Sequence, residues 1–183
     1  DTFFAGILSS IQDKNLAYQQ VYSIIKEATG QGIIPNFASQ RGVSVDRSQP
    51  PVGSYCVLKL YRKFQEEELL GQTLDTLYTW NRWWRPHRDG NGDGLLEWGS
   101  DPYPTGKKVR YEANNLQAAK FESGLDNSPM YDGVDFNRDT HTMELNDVGL
   151  NALYAMDCWA LQEIAAVLGQ TEKEKEMAAE YKR

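Results

Sequence analysis

The feature that most limits how this chain can fold is an alternation. Stretches with apolar residues at helical spacing come in pairs, joined in turn by short connections and by long loops dense in polar and aromatic residues. Phe3, Phe4, Ile7, Leu8 and Ile11 form an i, i+3/i+4 stripe over residues 3–12. Asp13 is placed to cap a second helix to about residue 29, which Gly30, Gly32 and Pro35 end. Residues 33–49 read as loop. Pro50 and Pro51 suit the first turn of a third helix, about 51–64, where their missing N–H groups cost nothing. A fourth helix covers about 66–84, and 85–106 read as loop again. Residues 107–120 are ambiguous between strand and short helix, and 121–140 are loop. A long helix follows over about 145–168, with Leu150, Leu153, Ala160, Leu161 and Ile164 on one face and Gly169 closing it. Thr171 and Glu174 make a capping box for a last helix, 171–183.

Helix pairs whose polar residues gather in one set of long loops describe a helical toroid with its site at one end. A closed ring needs several hundred residues, whereas this chain has 183. The expectation is an all-α chain forming about half a ring, as one partial domain over residues 1–183. The sequence opens on Asp1 with an apolar helical phase at once, and no signal-peptide pattern is visible. It therefore reads as starting inside a fold, with the natural polypeptide extending upstream, and it carries no indication of compartment.

Composition removes several function classes. Acidic side chains outnumber basic ones, 26 to 19, and no Lys/Arg-rich block occurs, so a nucleic-acid partner is not expected. Apolar runs fall far short of the ~18 residues of a membrane span. At 40% hydrophobic residues the chain can bury a core. Cys56 and Cys158 form no metal or disulfide pattern and read as buried thiols. His87 and His141 lack ligand spacing. Neither a nucleotide-binding fingerprint nor a G-x-S-x-G elbow is present. Yet there are five Trp, ten Tyr and six Phe, several beside Gly, Asp and Asn where a core would not put them.

Three loops concentrate the chemistry. The first runs from Asn36-Phe37 to Asp46-Arg47-Ser48-Gln49-Pro50-Pro51. Planar donors and acceptors around an aromatic suit a sugar, although Asp46 and Ser48 also fit as caps of the following helix. The second, Asp89-Gly90-Asn91-Gly92-Asp93-Gly94-Leu95-Leu96-Glu97, has the D-x-N-x-D-G start of a calcium loop. Asp89, Asn91 and Asp93 would ligate through side chains, Leu95 through its carbonyl and Glu97 at position nine, while Ser100 stands where the bidentate Glu is expected. A plain turn-rich loop is the blander reading. The third, Phe121-Glu122-Ser123-Gly124-Leu125-Asp126-Asn127-Ser128-Pro129-Met130-Tyr131, puts two carboxyls four residues apart, on one face if helical. Desolvation by Phe121 and Tyr131 would suit one of them to act as a general acid. A polar loop with caps accounts for the same residues.

In this order the loops resemble glycoside hydrolase family 63. Asp1-Thr2-Phe3-Phe4 is similar to the family's W-D-T-F-F start, and Arg47 to Pro51 to its R-S-Q-P-P segment, also found in trehalases. Asp89 to Ser100 resembles its D-G-L-x-x-W-G stretch, Glu122 to Asp126 its E-S-G-x-D motif, and Asp147 to Ala152 the helix start that follows. The resemblance implies an (α/α)6 toroid and inverting hydrolysis of an α-glycosidic bond in an oligosaccharide or small glycoside. On its motifs Asp126 matches the general acid, and Asp1, Asn36, Arg47, Gln49 and Gly124 line the sugar subsite, with Glu122 a further candidate for substrate contact. A structural Ca²⁺ on the Asp89–Glu97 loop is implied for some members. The family's general base is a Glu farther downstream, and no residue in this sequence matches it. The chain is thus expected to hold half an active site, partnered by the remainder of a catalytic domain. Arg47 and Gln49 fit trehalases and hydrolases of glucosyl- or mannosylglycerate equally well. A non-catalytic helical sugar-binding or interaction module is the alternative.

Overall fold

The computed structural model describes residues 2–40, 42–103 and 113–183. The described elements are helices α1 (Thr2–Ser9), α2 (Lys14–Ile25), α3 (Gly53–Phe64), α4 (Glu67–Arg88), α5 (Leu116–Ser123), α6 (Val148–Val167) and α7 (Thr171–Tyr181). Two short antiparallel ribbons accompany them, β1 (Ala38–Ser39) with β2 (Gly42–Val43) and β3 (Phe136–Asn137) with β4 (Thr142–Met143). The first ribbon and β3 sit inside stretches expected to be loop, and β4 lies just past the second of them. Among the described residues no helix is long and apolar enough to cross a membrane. The chain divides into two compact units, one of Asp1–Ala28, Pro51–Asn81 and Ala152–Arg183, the other of Thr29–Pro50 and Arg82–Asn151.

The first unit is a helical core. Asp13 caps α2 by accepting from the N–H groups of Asn15 and Leu16. Phe3 of α1 stacks on Trp80 of α4 with ring centres 5.9 Å apart. Gly53 opens α3 where a Cβ would come within 2.8 Å of both Phe3 and Leu77, so only glycine lets these helices approach so closely. Pro50 and Pro51 precede the helix, whose cap residue is Val52, rather than occupying its first turn. Deeper in, the fully buried Asp157 of α6 accepts from the Ser54 N–H at 3.0 Å and from the Asn81 amide at 2.9 Å. Burial drives the Asp157 carboxyl up to about 6, against the pull of those donors. The free thiols of Cys56 and Cys158 are buried beside it and pushed up to about 12. At the far end Thr171 makes no capping box. Gly169 turns through φ 66° and Gln170 is the cap residue, so Thr171 already lies in the helix.

The second unit carries the loops. Its α4 segment runs to Arg88, past the expected end at about residue 84 and through Pro86. Proline lacks the N–H that would reach residue 82. Side-chain contacts hold the last turn nonetheless: His87 stacks on Trp83 at 4.8 Å and meets its carbonyl through Nδ1 at 2.8 Å. Asn115 caps α5 and the left-handed Gly124, φ 72°, closes it. Asp147 starts α6 by accepting from the Leu150 N–H at 2.7 Å.

Candidate functional site

At the end of α4, Arg88 is fully buried and spends every N–H it has. Nε and Nη2 form a fork on Glu122, at 2.7 and 2.9 Å. Nη2 also meets the Asp46 carbonyl at 3.3 Å, and Nη1 divides between the His87 carbonyl and Asp101. Glu122, also fully buried, takes the Ser48 N–H on Oε1 and the Gly99 N–H on Oε2, each at 2.7 Å. Burial pushes the Glu122 carboxyl above its ordinary value, while the guanidinium and the two amides pull it down. Burial would likewise lower Arg88, but Glu122 and Asp101 outweigh it and its pKa rises. The pair is an ion pair whose donors and acceptors are all satisfied, the condition under which burying charge is tolerated.

Around this pair the first and third loops meet. Asn36 donates its side-chain amide to the Phe121 carbonyl at 2.9 Å, and the Arg47 guanidinium lies 5.2 Å from the Phe121 ring centre. Arg47 also donates to Asp46 at 2.6 Å, and Asp46 accepts from Ser100 at 2.7 Å. Gln49 is turned to the Pro35 carbonyl at 3.0 Å. Asp46 and Ser48 therefore bind within the loop assembly rather than capping α3, whose Val52 cap makes no side-chain bond.

Glu122 and Asp126 do not share a helical face. Gly124 ends α5 between them, leaving Asp126 exposed in the following turn, where its carbonyl takes the Gln117 amide at 3.2 Å. Tyr131 is buried with its hydroxyl on Asp147, so it does not enclose Asp126. Glu122 offers no open oxygen, which replaces the expected substrate contact with an internal one. Asn36 and Arg47 stand against Phe121 and Gly124 beside Pro50, while Gln49 faces the Pro35 carbonyl. Asp1 lies outside the described residues. Arg88 escaped the sequence reading, since a cation in the last turn of a helix is explained by the helix dipole alone. Its one signal was position, directly before the Asp89–Glu97 loop.

In that loop each acidic side chain has N–H donors on it. Asp89 accepts from Gly94 at 3.2 Å and faces Arg85 at 3.8 Å. Asp93 accepts from the Leu95 N–H, Asn146 and Asn91, which hold its carboxyl below the ordinary range. Buried Glu97 accepts from the Gly90 N–H at 3.1 Å. Burial raises its pKa, Thr142 and Gly90 oppose, and Asp93 and Asp89 add to the rise. Gly90 is glycine because a Cβ would sit 2.5 Å from Thr142 and 2.8 Å from Glu97. Among the described residues no three His, Cys, Asp or Glu groups converge as a metal centre. A cavity of about 300 Å³ opens here, lined by Glu97, Thr142, Glu144 and neighbours. None of the described residues matched to the sugar subsite lines it.

The mannosylglycerate hydrolase MGH1-like glycoside hydrolase domain matches residues 2–183. The chain belongs to that family. Solved structures similar to this chain agree on the fold. A family 63 mannosylglycerate hydrolase from Thermus thermophilus, in complex with glucose, matches with a TM-score of 0.71 at 20% identity over 98% of this chain and 52% of that one. The structure described as that hydrolase with Tris and D-glycerate gives 0.70 at 17%, over 98% and 55%. An uncharacterized conserved protein of the same organism gives 0.72 at 18%, over 98% and 53%. The chain thus spans about half the length of the solved structures it matches, and the expected class, an all-α portion of an (α/α)6 toroid, holds. No curated protein matches.

Proposed function

We propose that the chain supplies the general-acid half of an inverting α-glycosidase site. Asp126 protonates the leaving glycosidic oxygen, and Asn36, Arg47, Gln49 and Gly124 border the sugar. The water-activating carboxylate, about 6.5–9.5 Å from the acid in an inverting pair, comes from the rest of the catalytic domain. The observation that carries this reading is Phe121: Asn36 reaches its carbonyl, Arg47 lies over its ring, and the exposed Asp126 follows in the next turn. Exposure suits a proton donor that must meet a substrate oxygen directly. Small α-glycosides of glucose or mannose, glycosylglycerates among them, are the proposed substrates, by analogy with the neighbours bound to glucose and to D-glycerate. In the full-length protein Asp126→Asn is expected to lower kcat by three or more orders of magnitude, roughly the upper range for removing an acid catalyst. Near-normal turnover of an unactivated glycoside by that variant would end the assignment. Saturable sugar binding with no hydrolysis by the wild type would instead favour a binding module.

A structural Ca²⁺ on the Asp89–Glu97 loop is a separate proposal. In its favour stands the repulsion of Glu97 by Asp89 and Asp93, which a divalent cation would remove. The donors now on these oxygens would have to give way. Millimolar calcium is then expected to raise the melting temperature, and curves that superimpose with calcium and with chelator overturn the idea.

A further inference from the structure

Glu122 shares its motif with Asp126, yet its carboxyl is spent inside the protein. Each oxygen receives two N–H groups, from Arg88 and from the backbone of Ser48 or Gly99. A carboxylate has about four lone-pair sites, so none is left for a sugar hydroxyl. Arg88 in turn ties Glu122 to the Asp46 carbonyl and to Asp101. The segments so joined are the ones that matter to the site. Ser48 lies between Arg47 and Gln49, and Glu122 lies between Phe121 and the Gly124 turn leading to Asp126.

We propose that Arg88 and Glu122 are positioning residues of the sugar site: the buried pair sets where the Arg47–Gln49 segment stands relative to the Asp126 turn, and touches no substrate. The proposal rests on the glycosidase reading for what the site does, and on the hydrogen bonds for what the pair does. A forked guanidinium–carboxylate contact fixes direction as well as distance, which a lysine point charge does not. Gly99 belongs to the same device, since any side chain there would meet Arg88 Nε within 2.8 Å. Displacing a reacting group by about 1 Å costs on the order of 100-fold in rate, so a hub beneath both loops bears directly on turnover.

The test uses the full-length protein with Glu122→Gln and, separately, Arg88→Lys. Glutamine keeps the shape but turns an NH₂ toward N–H donors, and lysine keeps the charge but loses the fork. Each variant is expected to lose about 100-fold in kcat on an α-glycoside. The pH–rate profile keeps both limbs, because those belong to the groups that transfer protons. In hydrogen exchange the Ser48 and Gly99 amides lose at least about tenfold protection, while Val21 and Ile24 in the helical unit keep theirs. Turnover within twofold of wild type with Ser48 and Gly99 still protected overturns the proposal. Loss of one limb in Glu122→Gln also overturns it, by making Glu122 a proton-transfer group. Uniform loss of protection along the chain does so too, by reducing the pair to bulk stability. Should the wild-type protein hydrolyse no glycoside, the glycosidase reading falls, while exchange at Ser48 and Gly99 still decides what the pair holds.

Discussion

A methyl group added at residue 99 would lie 2.5 Å from the His141 carbonyl oxygen and 2.8 Å from Arg88 Nε. Neither neighbour can yield, since one is backbone and the other is held at all its donors. Gly99→Ala is therefore expected to cost about 1–3 kcal/mol, the usual range for overpacking, read as a lower urea midpoint at unchanged slope. Gly71 has open space around its would-be Cβ and sits inside α4, so Gly71→Ala should stabilise, by about 0.5–1 kcal/mol. The steric contrast between these two glycines was not visible in the sequence, because the atoms that crowd Gly99 come from His141 and Arg88. Asn36, Arg47, Gln49 and Asp126 stood out in the sequence by residue type and motif order, and the first and third loops that hold them do meet. Arg88 did not stand out, because its partners come from residues 46, 101 and 122, and spacing along the chain does not reveal them.

Among the elements, α3, α4 and α6 meet on one buried acid. Asp157 has a carboxyl raised to about 6, against an ordinary value of 3.8. In the window between those values the folded state holds a proton that the unfolded state has lost. Stability is then complete below pH ~4 and falls as pH rises through ~6, by roughly 3 kcal/mol if the whole shift is expressed. Asp157→Asn, which removes the titrating group, should flatten that slope. Urea unfolding at pH 4, 5, 6 and 7 checks it, and an unchanged slope would show that other groups carry the dependence. Six of the seven described helices were read from the sequence, whereas α5 (Leu116–Ser123) fell across an ambiguous stretch and one read as loop, and some helix ends were misplaced. The extension of α4 beyond Pro86 depends on Trp83, His87 and Arg88 finding partners. Tertiary contacts of that kind outweigh the local rule that a helix stops near proline.

For the molecule as a whole, the helical unit leaves an apolar stripe uncovered: Phe4, Leu8 and Ile11 are 46, 68 and 75% exposed. Singly exposed apolar residues are ordinary, but three at helical spacing make a patch. The 183-residue polypeptide alone is expected to self-associate with rising concentration, and Phe4→Ser, Leu8→Ser and Ile11→Ser together should return it to monomer in sedimentation velocity. The half-ring expectation anticipated the family's architecture because loop and helix lengths carry it. It did not anticipate two units, since which helices share a core depends on contacts far apart in sequence. Those units have a consequence for synthesis. The helical unit draws on residues 1–28, 51–81 and 152–183, so its first two helices leave the ribosome more than 120 residues before its last pieces exist. In the interval α1 and α2 have only part of their core, and closing so long a gap is a slow, entropically costly step. A nascent chain stalled before residue 152 would hold that apolar surface open to chaperones, and to every other chain being made nearby.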